Sequence, residues 1–253
     1  MARWFSEILA VSADAIFPLI AEFVAGGTGW DLYDDISAHI KVYRCTGGAV
    51  TFYVEVDHTT ASTVIIKLAT GWDNVNHVYT GYKSGAQYLS ITVEEYAING
   101  DESTFYIMGM VWNSYKIIYV GYTTPLDILD TTSICLSGQN SAMNSYGAFA
   151  STNNGQLWLY NKTEGFGGIM YCQTDLQMQY GYNPDLGMLY LSKLKLANIE
   201  ENKAYRASPK FIYPACTTLP TGFAGNDGIL IGGLMYRLRY CNSANSFLWV
   251  QWE

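Results

Sequence analysis

The stretch GWDLYDDIS, residues 29–37, places Asp31, Asp34 and Asp35 within five positions, beside Trp30 and Tyr33. A second GWD follows at Gly71, Trp72 and Asp73, with His77 four residues after the aspartate. Paired carboxylates can supply the acid and the base of glycosidic hydrolysis. Carboxylates grouped with histidine can hold a metal ion. The spacing favours neither. Asp34 and Asp35 are adjacent, so in an extended chain their side chains point to opposite faces. Asp31 and Asp34 share a face only if the segment turns. A calcium loop needs alternating oxygen ligands with a glycine and a closing glutamate, and DLYDDISAHIKV has neither. The favoured reading is structural. Trp30 and Trp72 anchor corners, and Asp31, Asp34, Asp35 and Asp73 bind nearby backbone N–H groups there.

The three histidines, His39, His58 and His77, lie 19 residues apart each time. That interval can stack them on neighbouring strands. Nothing like HxH or HExxH accompanies them, so no metal site is assigned. His58 falls in an expected hairpin loop and is read as solvated. No GxSxG and no GxxxxGK[ST] occurs, which argues against a serine-nucleophile elbow and a phosphate-binding loop. GFGG at 165–168 precedes no helical pattern and reads as a turn. NKT at 161–163 matches a glycosylation acceptor without an export signal beside it. No catalytic residue and no cofactor is expected from these motifs.

The elements that would carry these residues are mostly strands. Ile16, Leu19, Ile20, Phe23 and Val24 recur at helical spacing and form one apolar stripe. Ser12 or Asp14 can cap that helix, and Gly26–Gly27 can end it. Before it, RWFSEIL reads as an extended arm or as part of a longer kinked helix. From residue 39 the period is two. Phe52, Val54 and Val56 face one way and Thr51, Tyr53, Glu55 and Asp57 the other. STVIIKLAT, AQYLSITVEEY, STFYIMGMVW and YKIIYVGY continue the pattern, the last two joined by a tight turn at Asn113–Ser114. GYTTPLDILDTT reads as a connection, and further short strands follow it. The expectation is a mainly β protein of two antiparallel sandwich- or barrel-like lobes, residues 1–125 and 126–253, with one N-terminal amphipathic helix.

Composition narrows the function classes. Only 14% of the 253 residues are charged while 15% are aromatic, 21 of them Tyr. A soluble monomer ordinarily covers itself with more charge. Tyr is favoured where a surface will be buried by a partner. The balance points toward assembly, with Trp4, Phe5 and Ile8 of the arm as candidate interface residues. A net charge of −8 with scattered basic residues argues against a nucleic-acid binder. Five cysteines without CxxC spacing read as free thiols, suited to folding in a reducing cytoplasm. No run of about 18 apolar residues occurs, so membrane insertion by a helix is not expected.

RWFSEIL, GWDLYDDIS, KVYRC, FYVEV, VIIKLATGWD, HVYTG and YKIIYVGYTTPL together resemble a loosely defined group of bacteriophage virion proteins. The likeness covers roughly residues 3–126. The later DGILIGGLMYRLRY resembles the strand–turn–strand close of many phage head and tail domains. The resemblance implies a virion subunit of the tail, tail tip, baseplate or neck. Its implied partners are copies of itself and neighbouring virion proteins, and it implies no catalytic residue. Two other classes stay open: a receptor- or host-glycan-binding module at a tail tip or fibre, suggested by SGQNSAMNSYG, and a cell-envelope glycan hydrolase built on Asp31, Asp34 and Asp73.

Overall fold

The computed structural model describes residues 4–9, 15–27, 29–60, 63–90, 95–111, 114–125, 134–138, 158–161, 165–167, 171–173, 182–183, 188–189, 195–197, 207–208, 210, 212–214, 228–242 and 246–251. The chain is mainly β, with antiparallel pairing throughout the named strands and a single helix near the N-terminus among the described residues. The first sheet orders Trp30–Ser37, Ile40–Cys45, Phe52–Asp57, Thr63–Ala69 and Gln87–Ser90 side by side. A second sheet of seven strands runs from Trp4–Leu9 through Glu95–Asp101, Thr104–Val111 and Ser114–Tyr122 to Ile134–Gly138, Trp158–Asn161 and Gly165–Gly167.

These two sheets face each other, and period two decides what lies between them. Val54, Val56, Val64, Ile66 and Leu68 from the first meet Ile98, Phe105, Ile107, Ile118 and Val120 from the second, all essentially buried. Trp30 lies among aromatic rings, with centroids 5.0 Å from Phe105, 5.5 Å from Phe52 and 5.9 Å from Phe23. Each such tilted or edge-on pair adds roughly 0.5–1.5 kcal/mol beyond area burial. The helix, Ile16–Gly26, packs against Trp4–Leu9, Glu95–Asp101 and Trp30–Ser37, filling one open side of the sandwich. Its buried face is Ile16, Phe17, Leu19, Ile20 and Phe23. Ala15 occupies the N-cap without a side-chain bond, and Pro18 falls in the first turn, where a missing N–H is harmless. Ser12 and Asp14 lie outside the described residues.

The second sheet is covered on its other face as well. Ala97, Asn99, Tyr106, Met108 and Tyr119 point away from the first core and are equally buried. A four-stranded sheet of Ile212–Pro214, Ser246–Gln251, Leu234–Asn242 and Gly228–Ile231 contributes to that cover. Asn99 Nδ2 donates to the Gln251 carbonyl at 2.9 Å, and the Tyr106 hydroxyl donates to the same oxygen. Among the described residues these three sheets therefore stack as β layers with the second sheet in the middle.

Three readings need adjustment. Residues 30–37 are themselves a strand, not a corner before one. The strand is irregular, with register shifts between Leu32 and Asp34 and between Asp35 and Ser37, which hid its periodicity. Val111 pairs with Ser114, so Ser114 belongs to the strand rather than to the expected turn. The division expected at 125/126 is crossed by the middle sheet, since Ile134–Gly138 pairs along Ser114–Tyr122.

Candidate functional site

The two GWD stretches meet on the outer face of the first sheet. Asp31 pairs with Arg44 and Asp34 with Val42, positions two apart on the neighbouring strand. The extra residue between them, Tyr33, forms a bulge, and a bulge adds one residue without changing what its neighbours oppose. Asp31 and Asp34 thus share the outward face although they are three residues apart. Across the sheet Val42 opposes Glu55, and Glu55 opposes Lys67.

A short hairpin, Trp72–Asp73 with Val78–Tyr79, is fastened over this row. Trp72 Nε1 donates to Asp34 Oδ2 at 2.8 Å, and His77 Nδ1 lies 2.8 Å from the same oxygen. The Asp34 side chain is 6% exposed and that of His77 47%. His77 sits at φ 55, a left-handed conformation that histidine tolerates better than most residues. At the other end Tyr79 donates its hydroxyl to Glu55 Oε2 at 2.5 Å, while Lys67 donates to Glu55 Oε1 at 2.6 Å. Burial and then the Glu55 carboxylate push the Tyr79 phenol well above its ordinary range. Trp72 and Tyr79 pack edge-to-face at 4.8 Å. The hairpin tip is a tight Asx arrangement. Asp73 accepts from the Val75 and Asn76 backbone N–H groups at 2.8 and 3.1 Å and from Asn76 Nδ2 at 2.7 Å. These bonds hold its carboxyl below the usual carboxylate range.

The remaining acids are also engaged. Asp31 and Arg44 form a bidentate pair at 3.0 and 2.7 Å, and the guanidinium lies 4.6 Å from the Tyr33 ring centre. Asp35 turns to the opposite side, 2.5 Å from Lys41, whose ammonium lies 5.5 Å from the Phe17 ring centre. Each of the four candidate aspartates therefore has a cationic or N–H partner. Among the described residues no group of three or more His, Cys, Asp and Glu converges.

Trp30 does a different job. It donates to the Asp101 carbonyl at 3.0 Å and joins the first sheet to the second. The Asp101 carboxylate accepts from Ser103 N at 2.9 Å and from Lys210 Nζ at 3.0 Å, a lysine beyond the middle sheet. Cys45 is a buried free thiol whose Sγ is 3.6 Å from the Glu102 carbonyl, and burial pushes it up to about 12.

His58 departs from its solvated reading. It is buried, 4.5 Å from the Phe17 ring, and its Nδ1 lies 3.4 Å from His39 Nδ1. The 19-residue interval brings those two together and leaves His77 apart. Glu55, Lys67 and Tyr79 were not singled out from sequence. An acid and a base on the polar sides of consecutive strands were the available signal. The arm Trp4–Leu9 pairs along its length with Glu95–Asp101 in the same chain, as the first strand of the middle sheet. The side chains of Trp4, Phe5 and Ile8 lie outside the described residues, as does residue 139 onward of the SGQNSAMNSYG loop.

No protein-family model matches the chain, and no curated protein matches it significantly. No helix among the described residues is long and apolar enough to cross a membrane.

Proposed function

We propose that this chain is a structural subunit of a bacteriophage particle, in its tail, tail tip, baseplate or neck, and that it assembles in several copies through Tyr- and Trp-rich β surfaces. The observation that carries this reading is how the outer face of the first sheet uses its polar residues. Asp31, Asp34, Glu55 and Asp73 are bonded to Arg44, Trp72, Lys67 and Asn76, respectively, so they brace the sheet and its hairpin. A hydrolytic pair instead needs one carboxyl ready to give up a proton and a second placed to attack or to activate water. Around these braces the same side presents apolar and aromatic groups. Val75 is 81% exposed and Tyr88 58%, with Val78 and Tyr82 also open. Such groups on a weakly charged surface suit burial against another subunit. The sequence resemblance supports the same reading.

Light scattering on the size-exclusion peak, followed by negative-stain imaging, tests it. The expected result is a defined oligomer with a symmetry axis. A monomer at every concentration, with activity on cell-envelope glycan, would replace this proposal with the hydrolase reading. A monomer that binds host cells or glycan would favour the receptor module.

A further inference from the structure

We propose that His39 and His58 form a two-imidazole site for a divalent late transition metal of the zinc, nickel or copper class. The two rings come from neighbouring parts of the first sheet. His39 lies in the turn between Trp30–Ser37 and Ile40–Cys45, and His58 follows Phe52–Asp57. Both are set on pinned backbone. Ser37 Oγ accepts from the N–H groups of His39 and Ile40 at 3.2 and 3.1 Å, and His58 N donates to the His39 carbonyl at 3.0 Å. Phe17 of the helix backs the His58 ring, and the two imidazoles stand edge-to-face with centroids 4.9 Å apart. The Nδ1 atoms are 3.4 Å apart, a long contact in which one ring N–H can donate to the other ring nitrogen. The same separation suits chelation. Two nitrogens each about 2.0–2.1 Å from a shared ion and 3.4 Å from one another subtend roughly 110° at it, close to tetrahedral. Imidazole is the ligand type that zinc, nickel and copper take from proteins, and water fills positions the protein leaves open. Because His39 is exposed, an ion can enter from solvent while the buried His58 fixes its position.

Two measurements on the full chain test the site. Calorimetric titration with Zn²⁺ alone should give one saturable site per chain, weakened more than about tenfold by His39→Ala, since even a lost outer-sphere partner costs about that much. His39 is a turn residue at the surface, so this variant keeps the fold, which circular dichroism verifies. Substoichiometric Cu²⁺ should broaden the imidazole NMR signals of His39 and His58 before that of His77. No saturable Zn²⁺ binding, equal binding by His39→Ala, or broadening first at His77 would overturn the proposal.

Discussion

At the scale of single residues, Asp34 joins the two GWD stretches, and its removal should be costly. Asp34→Ala leaves the buried Trp72 N–H without its acceptor, and an unmet buried group costs about 1–3 kcal/mol. Urea denaturation should show a loss of that size. Asp34→Ala with Trp72→Phe should lose less than the sum of the two single changes, because they share one bond. Buried phenols and a thiol give a second prediction. Burial and, for Tyr43 and Tyr79, nearby carboxylates raise the folded pKa values of Tyr43, Tyr79 and Cys45. An acid group raised on folding stabilises fully below its unfolded pKa, and that contribution is lost as pH rises toward the folded one. Stability should therefore fall from about pH 9, where unfolded thiols ionise, with tyrosines following near 10. Denaturation midpoints between pH 8 and 11 check this, with the share of tyrosinate absorbance due to Tyr43 and Tyr79 appearing only as the protein unfolds. Only part of the residue scale was legible in the sequence. The aspartates read as backbone ties, and Asp73 is one, whereas Asp31, Asp34 and Asp35 bond to side chains. The link from Asp34 to Trp72 was not legible, because 38 residues and a folded-over hairpin separate them.

At the scale of elements, the helix and the strands with clean alternation were readable, since one face of each meets a core. Residues 30–37 were not, because the bulge at Tyr33 breaks the period. That bulge sets how the acids are displayed. Tyr33 is the additional residue, so Asp31 and Asp34 keep regular outward positions around it. Turns are equally particular about their residues. Gly121 has φ 120, and a Cβ there would lie 2.4 Å from the Ser103 carbonyl oxygen. Gly232 has φ 59 in the tight turn joining Gly228–Ile231 to Leu234–Asn242, with nothing within 4 Å of its Cβ position. Thermal melts should separate the two. Gly232→Ala should cost about 1–2 kcal/mol for conformation alone, and Gly121→Ala distinctly more, because strain and collision add.

At the scale of the whole molecule, the middle sheet decides the architecture. Its strands carry Tyr, Met and Asn where a two-layer sandwich would show charge, and that substitution was the sequence signal for a third layer. It was read instead as surface suited to partners. The layers are also joined by charge. Lys210 Nζ reaches Asp101, whose side chain is fully buried, while the lysine side chain stays 20% exposed. Lys210→Met should cost about 2–3 kcal/mol in chemical denaturation, somewhat below the 3–5 kcal/mol of a fully buried pair. Lys41→Met, whose partner Asp35 is 55% exposed, should cost under about 1 kcal/mol. The covered middle sheet also has a consequence in time. Asn99 waits for a carbonyl 152 residues further along the chain, and Tyr106 for the same group. At roughly 5–20 residues per second a ribosome needs on the order of 8–30 s to supply it. For most of that interval, once Leu136 has emerged, the chain holds an inner core beside an unfinished outer one, and any synthesis that stalls there leaves the Tyr- and Met-bearing face open to other nascent chains.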